Sequence, residues 1–143
     1  MSQPHIILPD SGRDLLRLEL EQAFLALGCA VTRARPEHLH APEQAHYLPT
    51  LLAAHGPAIL LSVNFQGLNP LKWVVEETRK GGSTIAVWCV DNPWNLLSGV
   101  RDPRWKELTL FVTDKGFIPG LQRHGATAVR PCRVYTSDAA HDL

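Results

Sequence analysis

Two stretches of the sequence, Ala58–Val63 and Thr84–Val90, are apolar at nearly every position. A strand with one face in water alternates apolar and polar residues, whereas a continuously apolar strand is buried on both faces. Strands of this second kind occur in parallel sheets that helices cover from both sides. These two runs therefore predict a parallel sheet within an α/β fold.

Four more segments have the character of strands, and helical patterns separate them. The additional strands are predicted at Ile6–Leu8, Cys29–Thr32, Leu108–Val112 and Ala128–Arg130. Apolar residues spaced three or four apart predict helices over Leu16–Leu27, Pro42–Gly56, Pro70–Gly81 and Asp114–Gly125. Strands that alternate with helices form right-handed crossovers in one parallel sheet. We therefore expect a three-layer α/β/α sandwich, Rossmann-like, with about six strands in the order 3-2-1-4-5-6.

Two segments of the pattern are less regular. Pro49 lies inside the second predicted helix, which is therefore expected to be kinked, broken or late to start. The segment from Asp91 to Lys106 contains Pro93, Gly99 and Pro103. It is predicted to be a long connection with about one helical turn.

Size, charge and cysteine content limit the class of protein. The length of 143 residues fits one domain, or one lobe of a larger protein. Fourteen Lys and Arg residues balance fourteen Asp and Glu residues, so neither nucleic acid nor an anionic membrane is expected as a partner. No apolar run approaches the roughly 18 residues of a membrane span. Three widely spaced cysteines predict neither a disulfide framework nor a zinc site, and we expect a reduced, cytoplasmic domain.

Polar residues follow the predicted strands at their carboxyl ends, where an open parallel sheet binds its ligands. The candidate ligand-binding residues there are Asp10, Ser11, Gly12, Arg13, Asn64, Gln66, Asn92, Trp94 and Asp114. With the order 3-2-1-4-5-6, the loops after the first and fourth strands would flank the crevice. The amides that follow Gly12 could contact a phosphate or another oxyanion, or the loop could simply cap a helix. Neither glycine-rich nucleotide-binding motif is present.

Asp91 is the candidate catalytic residue. It follows a buried strand, so we expect its carboxylate at the edge of the crevice and partly desolvated. Desolvation makes a carboxylate more basic and suits it to general-base catalysis. The alternative is that Asp91 caps a turn with Asn92 and Pro93, which requires the same residue types.

Several aromatic and histidine residues have a structural interpretation that competes with a functional one. Trp94 and Trp105 could form a stacking surface for a sugar, but packing at the edge of the sheet is favoured. His38, His40 and His46 fit solvated loop positions better than a metal site, because no second pair of ligands accompanies them.

The remaining candidates are interpreted as structural. The cysteines Cys29, Cys89 and Cys132 lie in or beside predicted strands and are expected to be small core residues. The basic cluster near residue 104 is balanced by acidic neighbours, which favours a solvated face. That cluster comprises Arg101, Arg104 and Lys106, with Asp102 and Glu107 beside them.

One part of the chain resembles a known family. The strand containing Trp88 and its continuation through Asp91, Asn92 and Pro93 are similar to the W-x-x-D-[DN]-P element of CgeB-like and YkvP-like spore-maturation proteins. These proteins are glycosyltransferases of the two-lobed GT-B architecture. Further similarities lie at Leu60–Asn64, at Leu110–Lys115 and in the helix, Gly125, short strand and Pro131 that follow, so the resemblance covers about residues 58–132. The first loop departs from it, with one Gly where many GT-B lobes have a glycine-rich turn.

The resemblance implies that residues 1–132 form a Rossmann-like N-terminal, acceptor-side lobe, and that residues 133–143 form a tail or the start of an interlobe linker. The nucleotide-sugar donor would be held mainly by a C-terminal donor-binding lobe outside these 143 residues, so the isolated chain would be inactive. Asp91 would be the base, and the loop Asp10–Arg13 would face the donor phosphates. No metal or other cofactor is implied, and the acceptor is not identified.

Two other classes of function stay open. One is a stand-alone flavodoxin-like or receiver-like binding module without catalysis. A receiver is disfavoured because one acidic residue only, Asp10, follows the first strand. The other is an interaction lobe that docks a partner through Trp94 and Trp105.

Overall fold

The structure is a computed structural model that describes residues 4–9, 15–34, 47–68 and 70–132. Its strands are β1 His5–Pro9, β2 Val31–Ala34, β3 Ala58–Val63, β4 Thr84–Cys89, β5 Thr109–Val112 and β6 Ala128–Pro131. Its α-helices are α1 Leu15–Ala26, α2 Tyr47–His55, α3 Leu71–Lys80, α4 Pro93–Leu97 and α5 Ile118–Arg123. Two 3₁₀ turns, Pro103–Glu107 and Lys115–Phe117, precede β5 and α5.

The six strands form one parallel sheet in the order β2-β1-β3-β4-β5-β6. In the middle of the sheet, Leu60 of β3 pairs with Ile7 of β1 on one side and with Ile85 of β4 on the other. The predicted parallel α/β sheet is confirmed. The expected order 3-2-1-4-5-6 is wrong in one respect, because β3 lies between β1 and β4 instead of at the edge.

The direction of each crossover determines which face its helix covers. The chain moves one way across the sheet from β1 to β2 and the opposite way in every later step. Right-handed crossovers then place α1 on one face and the later helices on the other. The core is divided in the same way: Ile6 packs with Phe24 of α1, whereas Ile7 and Leu60 lie in the cluster that contains Val74 of α3. The three-layer sandwich is therefore confirmed.

Proline positions explain where two of the α-helices and one 3₁₀ turn begin. Pro49 is the third residue of α2, in the first turn, where its missing N–H removes no intrahelical hydrogen bond. Residues 42–46, where the helix was predicted to start, lie outside the described residues. Pro93 and Pro103 each stand directly after a capping side chain: Asn92 Oδ1 accepts from the Trp94 amide at 2.9 Å, and Asp102 Oδ1 accepts from the Arg104 amide at 2.9 Å. The connection after β4 therefore holds more helix than the single turn expected from the sequence.

The second strand begins two residues later than predicted. Gly28 has a φ of 86°, which ends α1, and the Cys29 amide donates to the Phe24 carbonyl at 3.0 Å. Cys29 therefore belongs to the cap of α1, and β2 starts only at Val31. No helix in the described parts of the chain is long and apolar enough to cross a membrane.

Candidate ligand-binding site

Two polar residues, Asn64 and Asp91, meet at the carboxyl ends of the neighbouring strands β3 and β4. The backbone amide of Asn64 donates to the Trp88 carbonyl at 2.9 Å, which extends the β3–β4 ladder by one residue. The Asn64 side-chain oxygen Oδ1 accepts from the backbone amides of Val90 at 2.9 Å and Asp91 at 3.3 Å. Its Nδ2 donates to Asp91 Oδ2 at 3.0 Å. Because backbone amides are obligatory donors, the two bonds from Val90 and Asp91 identify the side-chain oxygen of Asn64 and distinguish it from the side-chain nitrogen.

The carboxylate of Asp91 is exposed, so the partial desolvation expected from the sequence is not present. Asn64 holds one carboxylate oxygen, Oδ2, and no described residue donates to the other, Oδ1. A carboxylate that is oriented through one oxygen can use its other oxygen to accept a hydrogen bond, or a proton, from a hydroxyl group. Asp91 does not cap the helix that follows, because Asn92 does so.

The turn after β3 has an unusual backbone. Asn64 and Phe65 have φ values of 55° and 64°, and the Gln66 amide donates to the Val63 carbonyl at 3.0 Å. Two positive φ angles inside such a hydrogen bond define a type I′ turn, which favours Asn first and Gly second. Phe65 stands where Gly is preferred, at a cost on the order of 1–3 kcal/mol. The buried Ser62 closes the turn, since its hydroxyl donates to the Gln66 carbonyl at 2.6 Å.

A cavity of about 440 Å³ opens beside this turn. Its lining comes from two segments: Phe65 and Leu68 with the start of α3, and the stretch Gly99–Asp102. Neither Phe65 nor this cavity was predicted from the sequence. Its only signal was the position of Phe65 between Asn64 and Gln66 in a loop that follows an apolar strand.

The other predicted ligand-binding residues are distributed along the same edge of the sheet. Gln66 is exposed at the end of the β3 turn. Asn92 caps α4, and Asp114 caps the 3₁₀ turn by accepting from the Gly116 amide at 2.8 Å. These two side chains therefore have structural roles. The loop Asp10–Arg13 lies outside the described residues.

Trp94 packs within the molecule. Its ring lies edge-on to the His124 ring with centroids 5.0 Å apart, and a Cβ at Gly120 would come within 3.1 Å of Trp94 Cζ2. Trp94 remains 36% exposed, whereas Trp105 is 9% exposed and belongs to the core. The packing interpretation is confirmed for Trp105, and the two rings do not form a shared surface for stacking or docking.

The strand order shifts the crevice of the sheet. In the order 2-1-3-4-5-6 the direction reverses between β1 and β3, so the loops after the first and third strands flank the switch point, not the first and fourth. The third loop is the type I′ turn that contains Asn64. Asp91 reaches this turn from the next strand through the Asn64 side chain.

The cysteines and the described metal-ligating side chains give this site no reactive thiol and no metal centre. Burial raises the pKa of the Cys89 thiol to about 11, so it is neutral and unreactive at physiological pH. Cys29 is also buried, as predicted for a core residue, and Cys132 is partly exposed. Within the described residues, no group of three His, Cys, Asp or Glu side chains could hold a metal ion. His38, His40 and His46 lie outside these residues.

Fold and site together define a Rossmann-like α/β domain with a polar pair and a cavity at the carboxyl edge of its sheet. No model of a known protein family matches the sequence, and a search of curated proteins finds no match either. Its function therefore has to be argued from the site itself.

Proposed function

We propose that this chain is the N-terminal, acceptor-side lobe of a two-lobed GT-B glycosyltransferase, acting in the cytoplasm. The observation that carries the proposal is the hydrogen bond between Asn64 and Asp91 at the exposed carboxyl edge of a parallel sheet. The resemblance of the segment Trp88–Pro93 to spore-maturation glycosyltransferases gives this pair its chemical context. The donor nucleotide sugar is held by a second, C-terminal lobe that faces this edge.

In the proposed reaction Asp91 is the general base. An acceptor hydroxyl donates to Asp91 Oδ1, the oxygen to which no described residue donates. As the acceptor oxygen forms its bond to the anomeric carbon of the donor sugar, its proton passes to Asp91 and the nucleoside diphosphate leaves with the electron pair of the broken bond. Asn64 keeps the carboxylate in one orientation, because it holds Oδ2 and the backbone beside it. Fixing the base in this way reduces the entropy lost on reaching the transition state.

A second candidate is a stand-alone binding module, and the strand order favours it. The first five strands follow the flavodoxin-like order 2-1-3-4-5, in which a flavin binds at the switch point between β1 and β3. The sixth strand extends that pattern at the β5 edge. The helix that precedes it, α5, packs in the same core cluster as α3. A receiver-like phosphate acceptor is disfavoured, because the residue after the central strand β3 is Asn64, whose amide is not a nucleophile.

The test uses the complete protein as its gene encodes it, with any second lobe present, and measures sugar transfer or hydrolysis from a panel of nucleotide sugars. Asp91→Asn is expected to lower turnover by about 10²- to 10⁴-fold while the melting temperature stays close to that of the wild type. The matched control is Glu107→Gln, the same carboxylate-to-amide change at an exposed residue near the opposite edge of the sheet. It is expected to retain full activity.

Two results would contradict the proposal. If Asp91→Asn turns over as fast as the wild type, Asp91 is not the general base. If no second lobe exists, either in the same reading frame or as a partner chain, the protein is not a two-lobed glycosyltransferase. A flavin that copurifies with the chain and binds in a 1:1 ratio would instead establish the binding module.

A further inference from the structure

The cavity beside the β3 turn has the properties of a small-molecule pocket. Its volume of about 440 Å³ lies within the range of roughly 300–1,000 Å³ that is typical of such pockets. Leu68 and Leu71 are 5% and 7% exposed and give the cavity an apolar floor. Phe65 is half-buried against the same core and supplies the one aromatic surface among the described lining residues.

The backbone conformation of Phe65, which lines this pocket, is energetically unfavourable. At a φ of 64° an aromatic residue is strained, and glycine would relieve the strain without breaking the turn. The side chain of Phe65 packs against the core cluster and lines the cavity. Strained positions of this kind concentrate at ligand-binding loops, where the backbone holds a contact group in place.

Two charged side chains of opposite sign, Arg101 and Asp102, line the cavity among the described residues. Arg101 lines the cavity and is exposed, and no described residue pairs with it. Its neighbour Asp102 is already engaged, because it caps a 3₁₀ turn and lies 3.5 Å from Arg104 Nη1. Arg104 also lies 3.7 Å from Glu76. The described walls therefore offer one guanidinium to a ligand.

The start of α3 adds to this preference for an anion. Its N-cap residue is Pro70, which has no side-chain acceptor, and both Pro70 and Leu71 line the cavity. The first amides of an α-helix have no intrahelical partner and favour negative charge nearby. These free amides add to the attraction that Arg101 exerts on an anion. By themselves they would not define a binding site.

We propose that this cavity binds a small aryl carboxylate, with its planar apolar body against Phe65 and its single negative charge on Arg101. A monoanion matches the one guanidinium of the described lining, whereas a doubly charged phosphate would leave a negative charge uncompensated beside Asp102, which also lines the cavity. A guanidinium pairs with a carboxylate through two parallel hydrogen bonds. The proposal does not depend on sugar transfer, because binding needs neither a donor nor a second lobe.

The test is isothermal titration calorimetry of the chain with 3-phenylpropionate, compared with 3-phenylpropan-1-ol as the uncharged analogue. The acid is expected to bind with a Kd at or below about 1 mM, which is a modest affinity for a ligand of eleven heavy atoms. The alcohol is expected to bind at least 10-fold more weakly. Equal affinity for the two compounds, or no saturable binding of the acid up to 10-fold above that Kd, overturns the proposal.

Arg101→Gln separates the charge from the cavity. This variant is expected to weaken binding of the acid by about 10- to 100-fold and to leave the affinity for the alcohol unchanged. The matched control is Arg130→Gln, at an exposed arginine on the edge strand β6, and it should bind the acid like the wild type. Loss of affinity in Arg130→Gln equal to that in Arg101→Gln would show a general effect of charge and overturn the assignment.

Gly99→Leu tests the cavity by adding bulk to its wall. An added Cβ at Gly99 meets the Leu96 carbonyl oxygen at 3.7 Å and nothing nearer, so the backbone accepts a side chain there. With an unchanged melting temperature, this variant is expected to bind neither compound measurably. Unchanged binding of the acid would place the ligand elsewhere. None of these outcomes bears on Asp91, so failure of this inference is distinguishable from failure of the proposed transferase.

Discussion

The two edges of the sheet differ in how their polar groups are used. At the amino edge, Ser83 Oγ accepts from the buried Ala58 amide at 2.9 Å, and Arg79 pairs with Glu107 at 2.9 Å. The cavity there measures about 150 Å³. At the carboxyl edge the cavity is about 440 Å³, Asp91 is exposed, and the backbone of Phe65 is strained.

The two edges therefore differ in how far these polar groups are paired. At the amino edge, Ser83, Arg79 and Glu107 pair with other parts of the protein. At the carboxyl edge, Asp91 Oδ1 and Arg101 have no partner among the described residues, and the backbone of Phe65 is strained while its side chain packs against the core and lines the cavity. Such a division is expected when ligands bind at the carboxyl ends of parallel strands.

The largest effect on stability is expected from Ser83→Ala at the amino edge. The side chain of Ser83 is buried, and its loss leaves the Ala58 amide without an acceptor. An unsatisfied buried donor costs about 1–3 kcal/mol of unfolding free energy, or a fall of roughly 2–4 °C in melting temperature per kcal/mol for a domain of this size. Calorimetry of the purified variant measures this loss, and ligand binding should not change.

Ser62→Ala is the matched substitution at the carboxyl edge. Ser62 is also buried, but its hydroxyl donates to the carbonyl of the exposed residue Gln66, which water can reach. We expect a loss of about 0.5–1.5 kcal/mol, together with weaker binding of 3-phenylpropionate because the turn carrying Phe65 is no longer held. A larger loss of stability in Ser62→Ala than in Ser83→Ala would reverse the proposed contrast between the edges.

An effect confined to alkaline pH is expected from Cys89, which lies at the boundary between the buried core and the exposed edge. Its folded pKa of about 11 exceeds the unfolded value of 9.0. The contribution to stability is therefore complete below pH 9 and is lost as the pH rises from 9 through 11. At pH 10 the loss is about 1 kcal/mol.

Thermal unfolding of the wild type and Cys89→Ala across pH 7–11 measures this pH-dependent loss of stability. The variant is less stable at neutral pH, because it leaves a small cavity, and its stability should decline less above pH 9 than that of the wild type. Parallel pH profiles for the two proteins would show that Cys89 does not titrate in this way.

The elements of the fold could be predicted from the sequence because their signals are local. The run Ala58–Val63 is apolar throughout, and β3 has these same bounds. The order of the strands could not be predicted in the same way, since a buried strand has the same composition on either side of β1. Its position depends on the direction of the crossover from β2 to β3, which no local sequence signal determines.

The site could be predicted in part. Asn64 and Asp91 were identified as polar residues that follow apolar strands, but the hydrogen bond between them depends on the pairing of β3 with β4. Phe65 was missed because nothing in its chemistry favours a positive φ. The cavity was missed because its walls come from two loops about 30 residues apart in the chain, and Arg101 was interpreted with Arg104 as part of a solvated face. Among the described residues, Arg104 lies near one of the expected acidic neighbours, Asp102, and near Glu76, whereas Glu107 pairs with Arg79.

The central claim is that ligands bind at the carboxyl edge and that the amino edge is structural. The most direct test is a map of backbone amide chemical shifts in the ¹⁵N-labelled chain during titration with 3-phenylpropionate. The account predicts shifts in residues 62–68 and 90–102, with none in residues 81–84 or 107–109. Shifts confined to the amino edge, or spread evenly over both edges, would contradict it.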